Sequence, residues 1–395
     1  MLTTMKGAWS PRVPAFSQHD DMGGGIEASV AGTPDRVTLS QTRPGLHPIY
    51  YGRTGHYLHW DEWEWRLRRK LRGMGERRPV VAELHGGETV TFDGKQISST
   101  EAPIVVPPVV AIHDMEDARD EFATRFTEAV RDIYLGHGGG KVTVLLSGGV
   151  DSILTLWALL RIGADVEAVT AGRSEDDFDP LWAKRVADHW GVPWHLCRVP
   201  TETDALQALL TRTLGVIEQT SFSNVLMGCC CELIRDRMRE TGRKVAYLGF
   251  FGDLLFGHKL QVTGSFNLLP EARKTDAAWA EQRITHCWHS KPHSLQLAKG
   301  MRFGGETTWR VPFAHREIAP WTFGLPRVVA PPLMDKPLLY GLMDRHLPAD
   351  VAAWHVQRKI GFYTGAGIGK LRLTNPVLQD ENVRRTYAQV KARLS

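Results

Sequence analysis

The sequence predicts an α/β protein, with a parallel-sheet domain of alternating helices and short buried strands preceded by a small β-rich domain. Three observations carry this. Beyond residue 109, stretches of helical apolar periodicity alternate with short β-branched runs, the pattern of strands covered on both faces. Between Arg36 and Ser99 the signals are instead short β runs separated by Pro44-Gly45, Gly55 and Asp93-Gly94 turns. Glu101 to Pro108, with Pro103, Pro107 and Pro108, can continue neither a helix nor a central strand and reads as the linker between the two.

Taken in order, residues 1–35 carry Pro11, Pro14, Gly23 to Gly25 and Pro34 with few periodic apolar positions, and are expected to be a mobile arm. Residues 36–108 form the β-rich domain, with Ile49-Tyr50-Tyr51, Tyr57 to Trp60 and Glu88 to Phe92 as strands. Residues 109–395 form the α/β domain. Helices are expected over Asp117 to Leu135, Ile153 to Ile162, Leu181 to Trp190 closing at Gly191, and Phe222 to Arg239. Strands are expected at Lys141 to Leu146, Val166 to Thr170, Trp194 to Val199 and Lys244 to Leu248. His258 to Arg327, with its scattered tryptophans, reads as helices and loops that shape a pocket.

Composition narrows the function classes. A chain of 395 residues with 43% hydrophobic and 23% charged residues is globular and long enough for two to three structural units. No apolar run reaches membrane-span length and the first residues lack a signal pattern, so a cytoplasmic location is expected. Five cysteines, three of them consecutive at Cys229, Cys230 and Cys231, form no disulfide framework and read as packing residues, with sulfur-carrier chemistry as the alternative. The net charge of +4 is too mild to mark a nucleic-acid binder. One local cluster, holding Arg66, Arg68, Arg69, Lys70 and Arg72, reads as a solvated helix face, with phosphate contact as the alternative. His286, His289 and His293 are close in sequence, but Pro292 breaks any helix aligning them; they read as pocket or surface histidines.

The strongest chemical signal is Ser147-Gly148-Gly149-Val150-Asp151-Ser152, directly after a strand and before a helix. Two glycines let backbone N–H groups approach an anion, the helix N-terminus adds partial positive charge, and two serines add hydroxyls. This is a phosphate cradle without the lysine of the G-x-x-x-x-G-K-[ST] loop, and its Asp151 suits a magnesium ion beside phosphates.

These residues resemble the SGGxDS mark of the PP-loop ATP pyrophosphatase superfamily, also called adenine nucleotide α-hydrolases. Leu248 to Gly257 (LGFFGDLLFG) resembles the asparagine synthetase segment SGEGADELFGG, Pro332 to Asp335 its PFLD run, and Gln357 to Phe362 its late K-x-x-F segment, followed by Gly365-Ala366-Gly367. The resemblance implies an ATP-dependent, AMP-forming ligase that joins a carboxylate to an amine as an amide or lactam. In it Ser147, Gly148, Gly149, Asp151, Ser152 and Gly252 bind ATP and pyrophosphate, Asp151 and Asp253 hold Mg²⁺, and Lys359 is catalytic, stabilising transition-state charge.

The departures are informative. Where asparagine synthetases carry acids, this chain has Phe250 and Leu254, neither of which can take a proton. A less charged acceptor pocket formed by Phe250, Phe251 and Leu254 is therefore expected, and a product other than asparagine. In the first domain, Pro44 to Tyr51 resembles the DPLGIKPLYY run of class II glutaminases and Leu84 to Thr89 their PPGE segment. Those enzymes use an N-terminal cysteine; here position 2 is Leu and the first cysteine is Cys197, which implies a shortened domain without glutaminase activity, as in β-lactam synthetases and lasso-peptide cyclases. The expected partner is a small-molecule or peptide carboxylate and amine, with no membrane; the oligomeric state is open. Two alternatives stand beside this reading: a PP-loop enzyme modifying a nucleobase in DNA or RNA, and a nucleotide-binding pseudoenzyme.

Overall fold

The computed structural model describes residues 17–20, 26–33, 36–41, 48–103, 105–112, 114–256, 274–289, 307–331, 336–352 and 365–394. Its first part is antiparallel β structure. Strands β1 (Ser17–Asp20), β2 (Ile26–Thr33), β3 (Arg36–Gln41), β7 (Glu88–Phe92) and β8 (Ile97–Glu101) make one sheet in the order β1-β2-β3-β7-β8. Strands β4 (Ile49–Thr54), β5 (Tyr57–Asp61) and β6 (Val81–Leu84) make a second in the order β5-β4-β6. Side chains alternate in and out along β3, and its inward Val37 and Leu39 meet Val30, Val90 and Phe92 in a shared core.

The segment expected to be an arm therefore needs correction. Residues Ser17–Asp20 and Ile26–Thr33 pair in the sheet, and Val30 sits opposite Leu39 and is buried. Such short strands among glycines leave too little periodicity to read, and their order comes from pairing, β2 with β3 and β1 with β2. The proline-rich linker is tied at both ends, since Ala102 N–H donates to the Gly87 carbonyl and Val110 N–H to that of Gly324, both at 2.8 Å.

Helix α1 (Glu64–Gly73) carries the arginine cluster and joins the two parts. Its first backbone N–H groups, of Glu64 and Trp65, donate to the Glu218 carboxylate from the other part of the chain at 3.3 and 3.0 Å, a side-chain cap supplied in trans along the sequence. Leu67 and Leu71 are buried. Arg66 pairs with Asp61 at 2.8 Å, Arg68 with Glu64 at 2.6 Å, and Arg69 lies over Trp65, so these arginines serve local structure on a face that is only partly solvated.

The second part is a parallel sheet in the order β11-β10-β9-β12-β13, built from β9 (Lys141–Leu145), β10 (Asp165–Gly172), β11 (Trp194–Arg198), β12 (Val245–Leu248) and β13 (Thr308–Arg310). Helices α2 (Met115–Gly136), α3 (Val150–Arg161), α4 (Phe178–Trp190), α5 (Thr203–Ile217) and α6 (Phe222–Glu240) cover it. The β10 residues from Val166 to Gly172 are all buried, as a strand covered on both faces requires. Gly191 closes α4 in the left-handed conformation (φ 65°) that a helix end commonly needs. The expected helices and strands are present, most of them lengthened by a residue or more. Helix α5 and the terminal helix (Asp380–Leu394), for which no expectation was set, pack together against the base of α1.

The strand order positions the site. After β9 the chain moves outward to β10 and β11, then returns to place β12 on the other side of β9. The crevice at the carboxyl ends of β9 and β12 is thus a topological switch point, where ligands bind in open α/β sheets. In-register pairing of Leu145 with Leu248 makes the two following loops emerge side by side.

Candidate active site

The loop after β9 is held by its own serines. The Ser147 backbone N–H donates to Ser152 Oγ at 3.0 Å, Gly149 N–H donates to Ser147 Oγ at 3.1 Å, and the two hydroxyls lie 3.0 Å apart. Gly148 N–H donates to Asp179 Oδ1 at 3.2 Å. Asp179 is buried at the start of α4, and burial pushes its carboxyl up to about 7 against the opposing Gly148 hydrogen bond, with Asp177 adding to the rise. Its Oδ2 is buried without a hydrogen-bond partner. The glycine-rich Gly365 to Gly367 closes over these acids: side chains at Gly365 and Gly367 would collide with Asp179 and Asp177.

The loop after β12 presses on the first. A Cβ at Gly249 would overlap the Ser152 backbone, and one at Gly252 would stand 2.5 Å from Asp151 Oδ1. Both glycines make approaches that a side chain would have to push apart, although the asparagine synthetase segment quoted above carries alanine where this chain has Gly252. Gly252 opens the short helix α7 (Gly252–Leu255), which carries Asp253 beside Asp151. The residue before it, Phe251, adopts φ 81° although it is not glycine, a strained conformation held by full burial. The asparagine synthetase segment quoted above carries glycine at this position.

Asp151 and Asp253 converge on one ammonium group. Lys336 Nζ lies 2.6 Å from Asp151 Oδ2 and 2.5 Å from Asp253 Oδ1, and Lys336 is 1% exposed. Burial alone would lower its pKa; the two carboxylates outweigh that and hold it well above the ordinary lysine value. Lys336 precedes a helix (Pro337–Asp344) and has φ 42°, again in the left-handed region. Sequence reasoning missed this residue, whose one local signal is its place before a proline-led helix and after Asp335.

Two carboxylates that converge on a single cation form a donor set suited to a hard divalent ion, so these residues fit Mg²⁺. Arg283 supports the arrangement from below. Fully buried, it donates to the carbonyls of Leu255, Thr322, Phe323 and Leu325 at 2.8 to 3.3 Å, fixing the helix that holds Asp253.

Of the remaining expectations, Lys359 lies outside the described residues, as do Pro332 to Asp335 and His293. So do the side chains of His286 and His289. Phe251 and Leu254, expected to line an acceptor pocket, are each 1% exposed and pack in the core; Phe250 alone of the three keeps partial exposure. Cys229, Cys230 and Cys231 are buried in α6, where burial pushes the Cys229 thiol up to about 12 and raises the other two well above the ordinary thiol value. They are inert packing residues. Among the described residues no group of His, Cys, Asp and Glu is placed to hold a metal by side chains of three or more.

The loop after β9, the glycines after β12 and the paired aspartates meet in one crevice at the carboxyl ends of the two strands. Residues 121–299 match the asparagine synthase family. That asparagine synthase region is less than half of the chain, holds both loops and both aspartates, and supports an ATP-dependent synthetase of the ligase type. No curated protein matches the chain. Among solved structures, the chain is similar to the U34-tRNA thiolase NcsA from Methanococcus maripaludis with its [4Fe-4S] cluster, at 12% identity over 74% of this chain and 89% of that one, with a TM-score of 0.31. It is also similar to the NMN synthetase from Francisella tularensis, at 11% identity over 62% and 97%, with a TM-score of 0.29. A third is the glutamine-dependent NAD+ synthetase from Acinetobacter baumannii in complex with ADP, at 14% identity over 80% and 55%, with a TM-score of 0.31. Scores this low lend no weight to a shared function. Among the described residues no helix is long and apolar enough to cross a membrane.

Proposed function

We infer that the protein is an AMP-forming ligase that activates a substrate carboxylate with ATP and passes the acyl group to an amine, giving an amide or lactam without glutaminase activity. The observation that carries this is the convergence of Asp151, in the Ser147 to Ser152 loop after β9, and Asp253, in the loop after β12. In the first step a carboxylate oxygen attacks the α-phosphorus of ATP, forming an acyl adenylate and releasing pyrophosphate. In the second the amine attacks the acyl carbon, the bond to AMP breaks, and the amine loses a proton.

The chain's residues divide this work. Backbone N–H groups of the β9 loop and the Ser147 and Ser152 hydroxyls bind phosphate oxygens, exchanging the internal hydrogen bonds they make without ligand. Asp151 and Asp253 would hold Mg²⁺, which when bound neutralises phosphate charge. Lys359 stabilises negative charge in the transition state, a role whose loss typically costs about 10² to 10³ in rate. No acid stands at Phe250 or Leu254, so the amine's proton leaves by another group, and an apolar acceptor fits the partly exposed Phe250. The absence of glutaminase activity is supported by the β region, whose sequence contains no cysteine. The pairing of Arg66 with Asp61 and of Arg68 with Glu64 weighs against a phosphate-reading surface on α1.

The test is nucleotide product analysis with Mg²⁺-ATP against a small-molecule fraction and a nucleic-acid fraction of cell extract. AMP and pyrophosphate released only with small molecules, and lost in Asp253→Asn and Lys359→Ala, are expected. Release only with nucleic acid would transfer the reading to a nucleobase-modifying enzyme, and release in neither would leave nucleotide binding without turnover.

A further inference from the structure

Lys336 fills the point on which both aspartates converge, and its seat is built. It is fully enclosed, at 2.6 and 2.5 Å from the two carboxylates. A left-handed backbone at a non-glycine residue (φ 42°, ψ 53°) aims it there, and Pro337 pins the helix that follows. Leu338, Leu339 and Leu342 anchor that helix in the core. One ammonium and two carboxylates leave a net charge of −1, against −2 for the pair alone.

We propose that Lys336 is a tethered cation that occupies the divalent-ion position of the Asp151–Asp253 pair in the nucleotide-free protein, so that metal and nucleotide enter together. The proposal rests on the reading of this pair as the metal–triphosphate site. A divalent ion and an ammonium repel at this range, so the ion can take the carboxylates only if the ammonium leaves. A triphosphate arriving with the ion supplies oxygens that receive the displaced ammonium, a phosphate partner to which lysine is suited as a point charge. Without nucleotide the ammonium has no such destination. Metal and nucleotide are thereby coupled, and by linkage each raises the other's affinity by the same factor. Lys336 acts as a positioning residue, keeping two like charges together before substrate arrives.

The experiment is Mn²⁺ titration followed by electron paramagnetic resonance, with and without α,β-methylene-ATP, on the full chain. Wild type should show no tight Mn²⁺ site alone and gain one with the analogue. Lys336→Met should bind Mn²⁺ alone more tightly than wild type by on the order of 10- to 100-fold, and its metal–nucleotide coupling factor should fall correspondingly. If Lys336→Met fails to fold with two buried carboxylates unbalanced, Asp151→Asn/Lys336→Met, which keeps the native net charge, should still exceed Asp151→Asn alone in Mn²⁺ affinity. A tight Mn²⁺ site in unliganded wild type that disappears in Asp253→Asn would overturn the proposal alone, as would unchanged Mn²⁺ affinity on removing Lys336. Equal binding of Mn²⁺ with the analogue by wild type and Asp253→Asn would remove the reading of the metal site, and the proposal with it.

Discussion

Replacing Gly252 by alanine separates the geometry of the site from the stability of the fold. The added methyl would stand 2.5 Å from Asp151 Oδ1 and 2.7 Å from Asp151 Cγ. Carbon–oxygen contacts settle near 3.3 to 3.6 Å, so one group must retreat by roughly 1 Å. Asp151 is held at 2.6 Å by Lys336, and its backbone opens α3, so the cheaper movement is rotation of the carboxylate away from Asp253. Overpacking of this kind costs about 1 to 3 kcal/mol. Alanine in place of glycine at a helical position returns about 0.5 to 1 kcal/mol, leaving a net loss of about 0 to 2.5 kcal/mol. A 1 Å misplacement in a catalytic site can cost about 10² in rate. Gly252→Ala is therefore expected to lower AMP release by about 100-fold, while the urea midpoint falls by at most about 1 M. Turnover within a few-fold of wild type would show slack between the two loops and refute the close-approach argument.

Three further outcomes are expected. Arg283→Met, which strips the partner from four buried carbonyls, should destabilise the α/β part by about 3 to 5 kcal/mol in urea unfolding; a loss under 1 kcal/mol would mean water replaces the guanidinium. Asp179 has a folded-state pKa near 7 against 3.8 unfolded, so between those values the folded state holds a proton that the unfolded state has lost, and stability falls as pH rises from about 4 to 7. Asp179→Asn removes that slope, so the variant should gain stability relative to wild type over this window by on the order of a few kcal/mol; a constant difference across pH would contradict the assignment. Glu218→Ala uncaps α1 and should cost about 0.5 to 2 kcal/mol, seen as faster amide exchange at Glu64 and Trp65 than at Leu84; unchanged exchange would assign the helix start to other contacts.

What was legible in the sequence follows from how local each feature is. The β9 loop was readable because strand, glycines, serines and Asp151 lie within one short stretch and the helix start is part of the motif. Asp253 was readable through its place in a short segment, after an apolar strand, that resembles the asparagine synthetase run. Lys336 was not: its meaning comes from three parts of the chain meeting at one ammonium, and a lysine before a proline has no chemical mark of its own. The inside or outside position of Phe251 and Leu254 was equally hidden, since an aromatic or a leucine suits both a pocket and a core. Strands β1 and β2 escaped because short segments acquire order from a partner strand, here β3 for β2 and β2 for β1.

The in-register meeting of Leu145 with Leu248 also bears on how the chain acquires its activity. Nothing in the first loop's neighbourhood supplies the second aspartate until the outer strands have formed and the chain has come back across the sheet. Such late, long-range closure is entropically expensive and tends to slow folding. A nascent or truncated chain ending before β12 would carry the β9 loop with only one of the two converging aspartates. Catalytic competence is then a checkpoint on complete folding, and split halves of the protein should be silent separately and active only when rejoined.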